Sequence, residues 1–542
     1  MPAGGNRVSD DTQATESHAL SGRRLGAAAM LLGSSVLLSR VLGFARDMVL
    51  AGRLGVGPAT DAFSAAFQIP DLLNYLLAGG ALSIAFTPLY LRTLQREGPA
   101  AAARLFHIVL GTLGAVTLAL TAVLWIETDP LIAFQFGNFD ADTRALTAHM
   151  TRIVLPAQIF FVTGGIVRAV LMAHGRFGAQ AAAPVIYNGA IIAGGLLGHG
   201  VEGFAWGALV GAVVGQLLLP LWQIRRVMPL RFSVSPLDRR FRLYLISALP
   251  LMVGLSLTTV DEWYERWFGQ ALGVGVLASL GFARRLMMAP VAVVGQAVAT
   301  AALPTLAALH AEGRGAELDR MLVRTLRGTL VVATLLAGGL AAFALPIVEV
   351  VYQRGRFDAE DSLRVAALLA ILAFAVPGWV TQQVAVRAFF ARGEMWRPML
   401  LGTAIALAAV PLYQALSATW GAAGLAAAGS LAISFNALAT LAWARLRFGG
   451  PALGGLLATG ARSAAIAAGA AWVGRLVSIE RPGFLGSLAE LLAGGALYLL
   501  VAVALIALLG DEAARSVLAR VWNRLSSRRR SGAPPAGGGG VE

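Results

Sequence analysis

The stretch LGAAAMLLGSSVLLSRVLGFARDMVL, residues Leu25–Leu50, decides how the chain is read. It is long enough to cross a bilayer, which takes about 20 mostly apolar residues. Yet it holds Arg40 and Arg46, with Asp47 beside the second. A guanidinium in hydrocarbon costs several kcal/mol or more unless it faces a cavity or a partner. Two such groups within two turns point to a polar interior that accepts anions, and so to transport. Snorkelling at the helix end is the plainer reading for Arg46, but Arg40 lies too deep for it. Asp61 opens the next apolar run.

Composition agrees with a membrane class. Of 542 residues, 57% are hydrophobic and 13% charged, and mean hydropathy is +0.71, well outside globular averages. The chain has no cysteine, which excludes disulfides, cysteine-ligated metals and thiol chemistry. It has no lysine either, so Schiff-base and P-loop chemistry are excluded. A net charge of +14 raises nucleic acid as a partner. The arginines, however, are scattered in short loops between apolar runs, where they anchor to anionic lipid and set topology. No nucleic acid is expected.

Apolar runs of spanning length number about fourteen. They fall near 25–50, 60–92, 104–126, 144–173, 178–198, 203–224, 242–268, 276–308, 322–347, 361–391, 396–416, 421–444, 453–477 and 484–509. The second, eighth and tenth are longer than one span needs and contain Pro70, Pro290 and Pro377, which predicts broken or kinked helices. The loop after the sixth run carries Arg225, Arg226, Arg231, Arg239, Arg240 and Arg242. The loop after the third carries Glu127, Asp129, Asp140 and Asp142 with no basic residue. Arginine-rich loops face the cytoplasm, so even-numbered exits and both termini are predicted inside.

The chain also repeats itself. Leu54-Gly55-Val56-Gly57 returns 218 residues later as Leu272-Gly273-Val274-Gly275. Gly137-Asn138-Phe139-Asp140-Ala141 returns as Gly355-Arg356-Phe357-Asp358-Ala359, and Val167-Arg168-Ala169 with Gly175 returns as Val386-Arg387-Ala388 with Gly393. Three matches in nearly one register mark a duplication. Six spans separate the copies, so they run in the same direction, as two lobes about a central cavity. The expected fold is an all-α polytopic membrane protein of about 14 transmembrane helices, two six-helix lobes in parallel repeat plus a C-terminal helix pair. Its expected parts are a disordered cytoplasmic N-terminus over 1–24, an N-lobe over 25–224 and a cytoplasmic inter-lobe linker over 225–241. A C-lobe over 242–444, helices 13 and 14 over 445–510, and a basic, Pro/Gly-rich cytoplasmic tail over 511–542 complete it.

The second lobe has arginines of its own, Arg284 and Arg285. Guanidinium groups offer planar paired donors that suit phosphate, and four of them from two lobes would cradle a diphosphate. Asp47 and Asp61 would balance part of the charge. Asp261, Glu262 and Glu265 read as a solvated end of the seventh helix. The histidines are dispersed, and no metal spacing, nucleophile–base pair or Walker loop appears, so neither an enzyme nor a cofactor is expected. A drug or cation antiporter would need cavity carboxylates rather than arginines, and a scaffold would need no buried charge.

These residues resemble a family. Ser39-Arg40-Val41-Leu42-Gly43-Phe44-Ala45-Arg46-Asp47, Ala59-Thr60-Asp61-Ala62-Phe63, Pro70 and Ala85-Phe86-Thr87-Pro88 are similar to the MurJ/MviN lipid II flippases. Phe282-Ala283-Arg284-Arg285-Leu286, Gly355-Arg356-Phe357 and Ala388-Phe389-Phe390-Ala391 extend the likeness over roughly residues 25–510. The resemblance implies flipping of an undecaprenyl-diphosphate-linked peptidoglycan precursor between leaflets of the bacterial cytoplasmic membrane, by alternating access and by a single chain. It also implies that Arg40, Arg46, Asp61 and Arg285 match functional cavity positions, and that helices 13 and 14 form the lipid-tail groove. Two departures stand out. Asn74, Tyr75 and Gly79 replace an arginine pair and an acid, and Arg284 stands where the family often has Asp. Asn74 thereby joins the candidate substrate contacts. The rewritten gate leaves another lipid-linked glycan, such as an exopolysaccharide or O-antigen unit, as the alternative cargo. Some members bind sodium through carboxylate and Asn groups on helices 7 and 11. Here Trp396–Leu416 has neither, so no metal site is expected.

Overall fold

The computed structural model describes residues 7–77, 85–253, 257–477, 479 and 483–531, with backbone alone at 7–29, 249–253, 257–259, 521 and 524–531. The described residues form helices and loops and no strand. They divide into two compact units, Met1–Val253 and Gly254–Glu542.

The first unit contains α1 (Arg7–Leu54), α2 (Pro58–Ala66), α3 (Gln68–Leu77), α4 (Thr87–Glu97), α5 (Pro99–Ile126), α6 (Thr128–Gln135), α7 (Ala141–Val154), α8 (Ala157–Ala173), α9 (Gly178–Leu197), α10 (Glu202–Gly211), α11 (Leu219–Ile224) and α12 (Arg239–Val253). A π-helical segment, Ala212–Leu218, joins α10 to α11. The second unit contains α13 (Leu257–Gly269), α14 (Val276–Pro290), α15 (Ala297–Ala311), α16 (Gly315–Ala342), α17 (Ala344–Tyr352), α18 (Ala359–Leu372), α19 (Ala375–Ala385), α20 (Arg387–Phe390), α21 (Trp396–Phe448), α22 (Leu453–Gly474), α23 (Phe484–Leu509) and α24 (Glu512–Ser531).

Among the described residues, nine helical stretches are long and apolar enough to cross a membrane. The pair α18–α19, bent by 44°, makes a tenth. Together they cover eleven of the expected spans, because α21 merges the eleventh and twelfth across Gly421, whose backbone is non-helical. The expected spans outside this set are 25–50, 60–92 and 242–268. The first carries Arg40 and Arg46, and the second is interrupted by residues that lie outside those described. The third, described as α12 and α13, likewise contains residues that lie outside those described.

The proline breaks are found where expected. α14 ends at Pro290 and passes into a π segment, Val291–Gln296, because proline cannot donate to the helical ladder. The α18–α19 bend falls just before Pro377. Helix α9 meets α10 through glycines, and a Cβ on Gly194 would lie 2.8 Å from Cα of Gly207. Such close backbone approach is how membrane helices gain packing energy.

The duplication reappears as geometry. Asp140 caps α7 by accepting from the backbone N–H of Thr143 at 2.9 Å, and Asp358 caps α18 by accepting from that of Asp361 at 2.9 Å. Gly175 and Gly393, which follow the repeated arginines, both take left-handed backbone with φ of 71° and 75°.

Three boundaries differ from the sequence expectation. α1 begins at Arg7, so residues 7–24 are helical rather than a disordered lead-in. Extending a nucleated helix costs little, since each added residue gains one hydrogen bond. The linker after α11 packs within the first unit, along α5 and the end of α4. His107 Nε2 meets the Pro229 carbonyl at 3.0 Å, the Ser235 N–H donates to Thr112 Oγ1 at 3.1 Å, and Arg240 pairs with Glu97 at 3.1 Å. Phe241, Tyr244 and Ala248 of α12 then join the first unit's core around Phe86, Tyr90 and Phe106, which moves the division of the chain to after Val253. Finally, residues 512–531 of the expected tail form α24, whose Ala514 packs on Val331, Ile466 and Ile506. Residues 1–6 and 532–542 lie outside those described.

Candidate functional site

In the first unit Arg46 is held from two sides, and the two acids of the motifs are buried. Asp47 is 4% exposed and Asp61 1% exposed, values that acids reach in a helical bundle only with partners. Nε of Arg46 donates to Asp47 Oδ1 at 3.1 Å, and Nη1 donates to Asn188 Oδ1 of α9 at 3.2 Å. The amide of Asn188 in turn donates to Ser39 Oγ at 3.3 Å and to the Pro184 carbonyl at 3.1 Å. Asn188 therefore ties the Ser39–Asp47 motif to α9. Arg40, on the same helix, is exposed. Asn74 of α3 donates to Gln158 Oε1 of α8 at 2.8 Å. The rewritten gate position is an amide pair in the first unit, while Gly79 lies outside the described residues.

In the second unit Arg284 and Arg285 diverge. Successive helical residues point about 100° apart, so one arginine enters the bundle and the other does not. Arg284 is 6% exposed. Its Nε donates to Glu265 at 2.8 Å, and its Nη2 lies 2.6 Å from Asp261 and also meets Glu265. Tyr413 of α21 donates its hydroxyl to Asp261. Nη1 of Arg284 is buried without a hydrogen-bond partner. Arg285 is half-buried.

Two expectations are corrected here. Asp261 and Glu265 do not form a solvated helix end; they are 3% and 5% exposed. Arg284 does not offer an open guanidinium to a ligand, because two carboxylates of α13 already occupy its Nε and Nη2. The reason is spacing. Asp261 and Glu265 sit four residues apart and so share one face of α13, which packs on α14 and α21. Buried carboxylates require a cation, and Arg284 reaches both of them.

Sequence reasoning missed Asn188, Gln158 and Tyr413. A signal for Asn188 existed, since it is an amide placed in the middle of an apolar run. Nothing in the sequence marks Tyr413 as the partner of an acid 152 residues away.

Chemically, the first unit holds a cation oriented by one carboxylate and one amide, and the second holds a closed, buried ion network. Among the described residues no cluster of acids or histidines is arranged to hold a metal ion.

The chain has relatives among known proteins. A family model described as "Lipid II flippase MurJ" matches residues 50–494. The probable lipid II flippase MurJ of Rhizobium meliloti is 31% identical over 431 residues, 76% of this chain and 79% of the relative. The lipid II flippase MurJ of Burkholderia cenocepacia is 29% identical over 394 residues, 70% of this chain and 75% of the relative. Among solved structures, a lipid II flippase MurJ in an inward closed conformation superposes with a TM-score of 0.74 at 21% identity, covering 88% of this chain and all but 1% of that one. An inward-facing multidrug transporter of the MATE family follows at 0.64 and 17% identity, covering 78% and 98%. These two likenesses speak for the fold alone. With the model spanning most of its length and a relative above 30% identity, this multi-pass membrane chain belongs to the lipid II flippase MurJ family.

Proposed function

We propose that the chain flips lipid II, the undecaprenyl-diphosphate-linked peptidoglycan precursor, from the inner to the outer leaflet of the bacterial cytoplasmic membrane by alternating access. The observation that carries this reading is Arg46, a guanidinium within an apolar span, oriented by Asp47 and by Asn188 of α9. A cation held in place in the bundle is suited to take a diphosphate, because paired N–H donors match phosphate oxygens.

On this reading Arg40, Arg46 and Arg285 contact the diphosphate, with Asp61 and Asn74 lining the path and Asp47 tempering the charge. Arg284 serves by fixing α14, and thereby Arg285, rather than by touching substrate. The lipid tail is assigned to the second unit, where a groove of about 830 Å³ runs along α16 and α22 past Phe374, Ala467 and Trp472. The protein acts as a single chain with both termini in the cytoplasm, and it carries out transport rather than catalysis.

The test is rescue of a bacterium depleted of its own lipid II flippase, with wild type, Arg40→Ala and Arg46→Ala in parallel. Rescue by wild type alone is expected. Failure of a well-expressed, membrane-inserted wild type would move the assignment to another lipid-linked glycan, and full rescue by both variants would overturn the arginine cradle.

A further inference from the structure

The repeat contains an arginine that the reading above leaves unused. Val167-Arg168-Ala169 and Val386-Arg387-Ala388 place it near the end of α8 and in α20, each ahead of a turn made by a left-handed glycine, Gly175 or Gly393. Both arginines are half-buried, and neither has a carboxylate within ion-pair reach among the described residues. Arg168 is held by amides. Its Nε donates to Gln180 Oε1 at 3.1 Å, and its Nη1 donates to the side-chain oxygen of Gln216. Gln216 belongs to the π-helical segment Ala212–Leu218, a feature enriched at functional sites. Arg387 rests its guanidinium 5.3 Å from the Phe390 ring centroid, and its Nε is buried with no acceptor.

Neighbouring arginines behave differently. Arg392, five residues after Arg387, pairs with Asp319 at 3.0 Å, and Arg327 pairs with Asp511 at 2.9 Å. An arginine that only stabilises the bundle brings an acid with it, since an uncompensated half-buried charge is costly. Arg168 and Arg387 are oriented by neutral groups and keep a full positive charge, because guanidinium does not deprotonate in proteins. The missing counter-charge is then one that arrives with a ligand.

We propose that Arg168 and Arg387 are repeated phosphate contacts, each acting within its own unit, and that each can take the diphosphate of a lipid-linked substrate separately from Arg40, Arg46 and Arg285. This rests on the flippase reading. Amides aim the guanidinium without neutralising it, which suits an anion that must bind and then leave.

The test uses the full chain in phosphatidylcholine nanodiscs, titrated with undecaprenyl diphosphate and, separately, with phosphatidylglycerol. Arg168→Gln and Arg387→Gln are each expected to weaken undecaprenyl diphosphate binding by about tenfold, the scale of one lost charge-assisted contact. Arg168→Lys, which keeps the charge but loses the fork, should restore only part of it. Arg387→Gln should leave the melting temperature unchanged, since it orphans no acceptor, whereas Arg168→Gln also takes donors from Gln180 and the buried Gln216 and is read by binding alone. Unchanged binding in both Gln variants, or lowered melting with unchanged binding, overturns the proposal while leaving the flippase reading intact. An equal loss for phosphatidylglycerol overturns the diphosphate assignment in favour of a general phospholipid site. If wild type itself takes up no undecaprenyl diphosphate, the flippase reading falls and this proposal with it.

Discussion

Nη2 of Arg284 stands 2.6 Å from Oδ2 of Asp261, with both side chains buried, so α14 is ionically fastened to α13. Glu265, one turn further along α13, takes the other side of the guanidinium. Three buried charges on two helices have only one arrangement in which none is left alone. Tyr413 extends that arrangement to α21.

Removing the cation should therefore be far worse than removing one anion. Arg284→Ala leaves two carboxylates buried together and is expected to cost about 3–5 kcal/mol, the usual penalty for orphaning a buried charge. Glu265→Gln leaves a one-to-one pair between Arg284 and Asp261, so its loss should be clearly smaller. Thermal unfolding of the purified protein in detergent checks the order. Equal destabilisation by the two changes would contradict the charge arithmetic.

Asn188 is the other residue on which geometry converges. Its side chain bonds Arg46, Ser39 and the Pro184 carbonyl. Asn188→Leu preserves size but removes every one of these contacts, leaving Arg46 with Asp47 alone among the partners described above. Transport is expected to fall about tenfold, the scale of one lost hydrogen bond to a charged group, while expression and melting change little. A flippase-depletion rescue titrated by promoter strength would read this. Undiminished rescue at the lowest expression level would sink the positioning role.

Much of the architecture was legible in the chain, and the reasons are physical. Span length and apolarity are one-dimensional properties, so α5, α8, α16 and α23 could be placed from composition. The duplication was legible because helix caps are local: Asp140 and Asp358 each bond an N–H three residues ahead. What stayed hidden were pairings across long separations. Asp261 and Glu265 look the same in sequence whether they face solvent or Arg284, since periodicity says that they share a face but not which neighbour covers it. The same holds for the placement of α12, where Tyr244 packs edge-on against Phe86 from a different part of the chain.

Gly421 interrupts α21 with φ 58° and ψ −134°, a conformation that side-chain-bearing residues rarely adopt. It lets one continuous stretch serve as two spans. Gly421→Ala is expected to cost about 1–3 kcal/mol of backbone strain, although nothing lies within 4 Å of a Cβ there. Melting of the variant in detergent is the check, and an unchanged value would show that the turn relaxes to a helical form.

Asp511 predicts how acid acts on the docking of α24. Its carboxylate pairs with Arg327 at 2.9 Å, accepts from Thr459 Oγ1 at 2.6 Å and caps α24 through the Ala514 N–H at 2.9 Å. Burial alone would raise its pKa, but these bonds to the charged form outweigh burial and hold it below the ordinary 3.8. A carboxyl whose folded pKa is depressed contributes stability that is complete above its unfolded value and disappears as pH falls through the folded one. Docking of α24 should thus be insensitive to pH from about 8 to 5 and loosen only below 3.8. Asp511→Asn keeps a cap, since Asn serves that position as well as Asp, but loses the ion pair with Arg327, so it should loosen α24 at neutral pH by about 1 kcal/mol and should abolish the acid transition. Hydrogen exchange of the α24 amides, corrected for intrinsic rates, reads both effects. An acid transition that survives in Asp511→Asn would assign it to another group.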